Sequence, residues 1–281
     1  MDRELVLAIL VALLCGSALT AAGWWPTRSP VASSGRALER RAWRRMWLPF
    51  APAMLVFAAL FGWALVEPAD AERVPNCLLW GAVPFAAVVV RATWRALRAL
   101  ACCQQDHAIA TVGLLRPRII LSTRIGTALD EQARAAAIEH ERGHARHRDP
   151  LRLWLAQLGS DLLWPWPAAN ARFHCWRQAL ELARDEEARL HGVAGADLAT
   201  AILAALRFSQ DGGSLSAATL GGDASFVEER IARLLRPLEN EALPAHNGVL
   251  WPLALAVGIS LAVLLGSAFG ERAVRSFLAV V

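Results

Sequence analysis

The sequence has no lysine and no tyrosine, only five cysteines and three methionines in 281 residues, and a charged share of 19%. Each shortage excludes something. Without lysine, all 29 positive charges are arginine; we read this as coding bias and assign no nucleic-acid site to it. The formal charge of +4 is then a matter of membrane topology, not of a polyanionic partner. Without tyrosine, no phenol is available as a catalytic donor. Cys15, Cys77, Cys102, Cys103 and Cys175 are odd in number and show no C-x-x-C spacing, so neither a disulfide framework nor a cysteine zinc site is expected. Low charge beside 56% hydrophobic residues excludes disorder and also an ordinary soluble domain.

What is abundant is apolar sequence, concentrated in four blocks. Residues 5–22, 47–66 and 249–269 each run uncharged for the roughly 17 to 25 residues that a bilayer core requires. A fourth, starting at Cys77, is uncharged only to Val90, so Arg91 must snorkel or the helix must continue to Leu97. Met1-Asp2-Arg3-Glu4 lacks the net positive start of a cleaved signal, so the first block is expected to stay as an anchor. Arg28, Arg36, Arg40, Arg41, Arg44 and Arg45 against a single Glu39 mark the first loop as cytoplasmic. The loop 67–76, with only Arg73, should be outside, and Arg91, Arg95 and Arg98 place the following segment inside again. Both chain ends then lie outside. The expected division is a three-span region over 1–100, a cytoplasmic domain over 101–248, and a fourth span with a short tail over 249–281.

The cytoplasmic segment reads as a short β region followed by helices. Ala108–Val112 and Arg118–Leu121 are β-prone and separated by Gly113 and Arg116-Pro117, which suggests a hairpin. Thr127 and Asp130 have capping-box spacing ahead of a helix from about 128 to 147, ended by Asp149-Pro150. Further helices are predicted over 151–163, 170–190 with Gly192 at its end, and 196–208. Ser225 and Glu228 precede one more over 226–235. Residues 211–224 read as a loop and 237–248 as a linker.

The stretch that carries chemistry is His140-Glu141-Arg142-Gly143-His144. On a helix, residues four apart lie one above the other, so His140 and His144 can offer two imidazole nitrogens to one tetrahedral Zn²⁺. Glu141 then stands beside the metal as general base. The same five residues could also be an exposed polar face, but the helix-forming run 134–138 sets the motif well inside a helix. A catalytic zinc needs a third protein ligand. The metzincin pattern would use positions 147 and 150 for Gly and a ligand, where this chain has His147 and Pro150, so the ligand should come from another helix. Glu181 and Asp185, one turn apart, fit: Glu181 could ligate while Asp185 accepts from the far nitrogen of a ligand histidine. The alternatives are that both acids pair with Arg177, Arg184 or Arg189, that Glu186 or Glu187 serves, or that His147 is the third ligand. Asp149 could be a helix cap or an anchor beneath the ligands.

Taken together, His140-Glu141-x-x-His144 running into Arg146, Arg148, Asp149 and Pro150, with Leu114-x-Arg116-Pro117-x-Ile119-x-Leu121 before and Glu181-x-x-x-Asp185-Glu186 after, resembles the BlaR/MecR-type membrane zinc metallopeptidases. The resemblance implies a mainly α chain, with a four-helix transmembrane region and a cytoplasmic zincin-like (gluzincin) α+β domain between the third and fourth spans. It implies that His140, His144 and Glu181 bind zinc, that Glu141 is the base, and that the substrate is a cytoplasmic protein, often a transcriptional repressor. The β-lactam sensors of that family carry an extracellular penicillin-binding domain after the last span. This sequence stops at Val281, so a signal is expected through the outer loop, the membrane lipid, a separate sensor protein or a homodimer. A membrane-protein quality-control protease would share the motif pair, and a non-catalytic scaffold would have no use for Glu141.

Overall fold

A computed structural model describes residues 8–23, 34–66, 76–101, 109–211, 224–237 and 250–280. The expectations for the loops at 24–33, 67–75 and 212–223, for the linker at 238–248, and for Cys102, Cys103 and Ala108 fall outside them. The chain is mainly helical, as expected. The apolar helix Ala8–Ala22 (α1) has a π turn over Val11–Cys15. Then follow Gly35–Trp47 (α2), a 3₁₀ turn Leu48–Phe50, Ala51–Val66 (α3) and Asn76–Ala101 (α4). Strands Ile109–Val112 (β1) and Arg118–Leu121 (β2) form the expected antiparallel hairpin, with Ile109 opposite Leu121 and Gly113 at φ 96° in its turn. After them come Thr123–Ala128 (α5), Glu131–Arg146 (α6), Asp149–Leu162 (α7), Pro167–Leu190 (α8), Gly195–Asp211 (α9), Ala224–Leu234 (α10) and Leu250–Val280 (α11).

Among the described residues, one helical rod, Gly35–Val66, is long and apolar enough to cross a membrane, and Ala8–Ala22 and Ala254–Gly270 are shorter apolar helices. Helix α4 carries Arg91, Arg95 and Arg98 in its C-terminal half and Pro84 in its apolar part. Two of these arginines do more than mark a boundary: Arg91 and Arg95 lie 3.5 and 3.1 Å from the buried Asp161 of α7. Phe57, Phe61 and Leu65 of α3, Trp80, Val90 and Trp94 of α4, and Leu261, Leu264 and Phe269 of α11 are exposed. A belt of large apolar side chains on several helices is far more than a water-facing surface ordinarily carries. Helices α3 and α11 approach until a Cβ at Gly62 would meet the Val263 carbonyl, and one at Gly266 the Ala59 carbonyl, the small-residue packing typical of helices in lipid.

The core beneath the polar part lies between α2 and α8. Leu38, Ala42 and Met46 of α2 pack on Phe173, Trp176, Leu180 and Leu182 of α8, with Ala156 and Phe226 closing the sides. A second cluster joins Leu129, Ala133 and Ala137 to Ala201 and the hairpin, and a third joins Ala136 and Ala188 to Leu198 and Leu234. Helix α6 is thus held on three sides.

Two helix starts differ from expectation. Asp130, not Thr127, caps α6 by accepting from the Ala133 amide at 2.7 Å. Thr127 belongs to the separate short α5, where its hydroxyl donates to the Thr123 carbonyl. A carboxylate three residues before the amide it bonds is a better cap than a hydroxyl six residues before it. Helix α10 starts at Ala224, so Ser225 sits within its first turn and is not the cap. Gly192, at φ 91°, ends α8 as predicted. Asp149 and Pro150 do not only end α6 but open α7, because Arg148 turns the chain through left-handed φ 51°. That conformation costs a non-glycine residue about 1 kcal/mol, and here it carries Asp149 back under His144.

Candidate metal centre

His140 and His144 lie on the buried face of α6, both 8% exposed, and their Nε2 atoms face one another at 3.1 Å. The Nδ1 of His144 is 2.9 Å from Asp149 Oδ2. The Nδ1 of His140 is 3.0 Å from Asp185 Oδ1, an ion-pair separation without the alignment of a hydrogen bond. A carboxylate at each Nδ1 holds a proton there and turns each Nε2 toward the space between the two rings. Glu181 enters from α8 with its oxygens 3.5 Å from His140 Nε2 and 3.8 Å from His144 Nε2. Two imidazole nitrogens and a carboxylate therefore converge on one point, an arrangement that calls for positive charge between them: a metal ion or, without one, the proton of an imidazolium. Two imidazole nitrogens on a tetrahedral ion at 2.0 to 2.1 Å would sit about 3.3 Å apart. The spacing fits.

Glu141 belongs to the same group. One donor atom from each of His140, Glu141 and His144 lies within 4.8 Å of the others. Its carboxylate is tethered from the hairpin: Thr111 of β1 brings its Oγ1 to 2.6 Å from Glu141 Oε2 and 2.9 Å from the Glu141 carbonyl. Gly143 lets the helix approach α8, for a Cβ there would come to 3.0 Å from Cδ of Arg184.

Beneath the histidines is a buried ionic layer. Asp149, 1% exposed, receives Arg184 Nε at 2.6 Å and NH2 at 3.2 Å, and Arg152 NH1 at 3.0 Å. Arg152 in turn pairs with Glu39 of α2 and lies over the rings of Trp43 and Trp176 at 4.6 and 5.5 Å. Glu39 also accepts from the Trp176 indole at 3.3 Å. On the other side Arg230 of α10 grips Asp185 with Nε at 2.8 Å and NH2 at 2.9 Å, and its NH1 lies 3.2 Å from Glu181 Oε2.

Burial alone would disfavour the charged forms of His140, Asp149, Glu181, Asp185 and Arg230, and their partners reverse it. For His140, burial pulls the imidazolium down, yet Asp185 and Glu181 push its pKa up to about 10. Burial would raise Glu181, but Arg230 and the two histidines hold it well below the usual carboxylate range. Asp185 is lowered against burial by Arg230 and His140, and Asp149 falls to about 2 against burial through His144 and Arg184. Asp185 and Glu181 in turn raise Arg230 despite its burial.

The family model described as BlaR1 peptidase M56 matches residues 89–234. This chain belongs to the M56 peptidase family. The match begins in α4 and ends at the last residue of α10, so it encloses the histidine pair, Glu181 and Arg230. Searches of curated proteins and of solved structures returned no match. Membership makes the protein a membrane-associated metallopeptidase, and the motif on α6 is where an M56 chain can hold its metal.

The structure brings all six expected residues together: His140, Glu141 and His144 on α6, Glu181 and Asp185 on α8, Asp149 at the start of α7. The competitors are engaged elsewhere. His147 Nε2 is 3.1 Å from Glu187, which also takes Arg146 and Arg184, and Glu186 accepts from Ser34 and Arg36 of the α2 entry. Arginine does pair with Glu181 and Asp185, but it is Arg230 and none of the three nearby arginines considered from sequence. Thr111, Arg230, Arg152 and Glu39 were not singled out there. Thr111 sits 30 residues from Glu141 and Arg230 45 from Asp185, and no local spacing signals such contacts.

Proposed function

We propose that this M56 chain is an integral-membrane, zinc-dependent endopeptidase that cleaves a cytoplasmic protein, a repressor-like one, in signal transduction. The observation that carries the reading is the convergence of His140 Nε2, His144 Nε2 and the Glu181 carboxylate on one point, with Glu141 beside it. His140, His144 and Glu181 hold the zinc, and Asp185 and Asp149 fix the proton on each Nδ1. Bound there, zinc acts as a Lewis acid and brings the pKa of water to about 7. Glu141 accepts the proton from the attacking water and passes it to the leaving amine, and Thr111 holds one carboxylate oxygen so that the other faces the reaction. The edge of β1, which continues to Thr111, offers backbone groups to an extended substrate.

In this reading four spans, 5–22, 47–66, 77–97 and 249–269, carry a gluzincin α+β domain over 101–248 on the cytoplasmic side, with both ends outside. The belt of exposed apolar side chains on α3, α4 and α11 and the arginines of α2 and α4 support it. The test is zinc content with a Glu141→Gln comparison in detergent-purified protein. The variant is expected to keep stoichiometric zinc and to lose cleavage by roughly 10²- to 10⁴-fold. Protein without zinc, or a variant that cleaves like wild type, refutes the reading.

A further inference from the structure

We propose that Arg230 is a positioning residue of the metal centre, a charged clamp that presents Glu181 and Asp185 to it, so that α10 is part of the site. The proposal rests on the reading of Glu181 as a metal ligand. Its starting point is where Arg230 sits on its own helix. Phe226 and Leu234, four residues before and after it, are both core residues, 9% and 3% exposed. Arg230 therefore occupies the middle of a buried stripe, where the periodicity of α10 would place an apolar side chain. Its side chain is 11% exposed, and a guanidinium so largely withdrawn from water is costly unless it is paired and hydrogen-bonded.

Its pairing has a specific form. The Nε and NH2 edge is bidentate on Asp185, whose Oδ1 is also the oxygen 3.0 Å from His140 Nδ1. The remaining nitrogen, NH1, takes Glu181 Oε2 at 3.2 Å. One planar group thus fixes both a ligand carboxylate and the carboxylate that orients a ligand imidazole. It anchors Glu181 through Oε2, the oxygen 3.5 Å from His140 Nε2, with Oε1 3.8 Å from His144 Nε2, and it keeps two neighbouring anions from repelling one another. Lysine, a point charge without the fork, could not hold both at once. The register is locked from α8, where Arg189 donates to the carbonyls of Arg233 at 3.3 Å and Arg236 at 2.8 Å.

The experiment is zinc affinity by chelator competition on the full chain in detergent, for wild type, Arg230→Gln, Arg230→Lys, Glu181→Gln and the Arg230→Gln/Glu181→Gln double variant. Loss of an outer partner of a metal ligand weakens binding by roughly 10- to 100-fold, and that is expected for Arg230→Gln, with Arg230→Lys in between. In the Glu181→Gln background the Arg230→Gln change should cost several-fold less, because a purely structural arginine would weaken both backgrounds alike. Binding by Arg230→Gln as tight as wild type or tighter, or losses that simply multiply, overturns the clamp while leaving Glu181 as ligand. If Glu181→Gln itself binds zinc like wild type, the ligand reading falls and the clamp with it. Should Arg230→Gln not fold, Arg230→Lys decides alone: unchanged affinity overturns the proposal.

Discussion

Replacing Asp149 by asparagine should be among the most damaging changes of similar shape in this protein. The carboxylate is 1% exposed and takes four nitrogens: His144 Nδ1, two from Arg184 and one from Arg152. Its pKa moves from an ordinary 3.8 to about 2, which is worth about 2 kcal/mol of preference for the charged form. Asparagine removes that charge and leaves Arg184, itself 3% exposed, without its main counter-ion. Stranding one partner of a buried pair typically costs about 3 to 5 kcal/mol. A loss of about 2 to 4 kcal/mol follows, or a Tm lower by roughly 5 to 15 °C for a chain of this size. Thermal unfolding in detergent, followed by near-UV circular dichroism of the tryptophans, would read it. The pH dependence gives a second signature. Because the folded value lies below the unfolded one, the stabilisation is complete above about pH 4 and is lost as the pH falls toward about 2. Wild type should weaken across that window, and the variant should lack this contribution. A Tm within about 2 °C of wild type at neutral pH would refute the account of the ionic layer.

Two further changes separate roles within the centre. Thr111→Val keeps the shape of β1 but removes the hydroxyl from Glu141; turnover should fall roughly tenfold, the worth of one hydrogen bond to a charged group, at unchanged zinc content. Equal turnover would remove Thr111 from any part in orienting the base. His147→Ala should keep zinc stoichiometry and affinity, since the side chain is turned to Glu187; a loss of about tenfold or more would reinstate it as a ligand.

What was legible in the sequence follows the range of the interactions. His140 with His144, and Glu181 with Asp185, are each one helical turn apart, so helix periodicity alone displays them. The hairpin and the glycine at the end of α8 are equally local. Asp149 was open between two roles because its function depends on Arg148 adopting a left-handed turn, which an arginine does not advertise. Thr127 looked like a cap because the sequence does not show that the chain breaks between α5 and α6. Arg230, Thr111 and Glu39 were invisible for a different reason: each reaches the centre from an element whose docking is decided by apolar packing elsewhere.

The rod formed by α2 and α3 has a practical consequence. It is about 48 Å long at 1.5 Å per residue over its 32 residues, more than a hydrocarbon layer needs. Its arginine-rich end is not a tether but one wall of the core, through Leu38, Ala42 and Met46 against Trp176 and Leu180. Any attempt to obtain the histidine pair in a water-soluble fragment by starting after the third apolar block would strip that wall and leave Glu39's partners, Arg152 and Trp176, facing water. The smallest piece that retains this core begins near Ser34, and it brings the apolar helix with it.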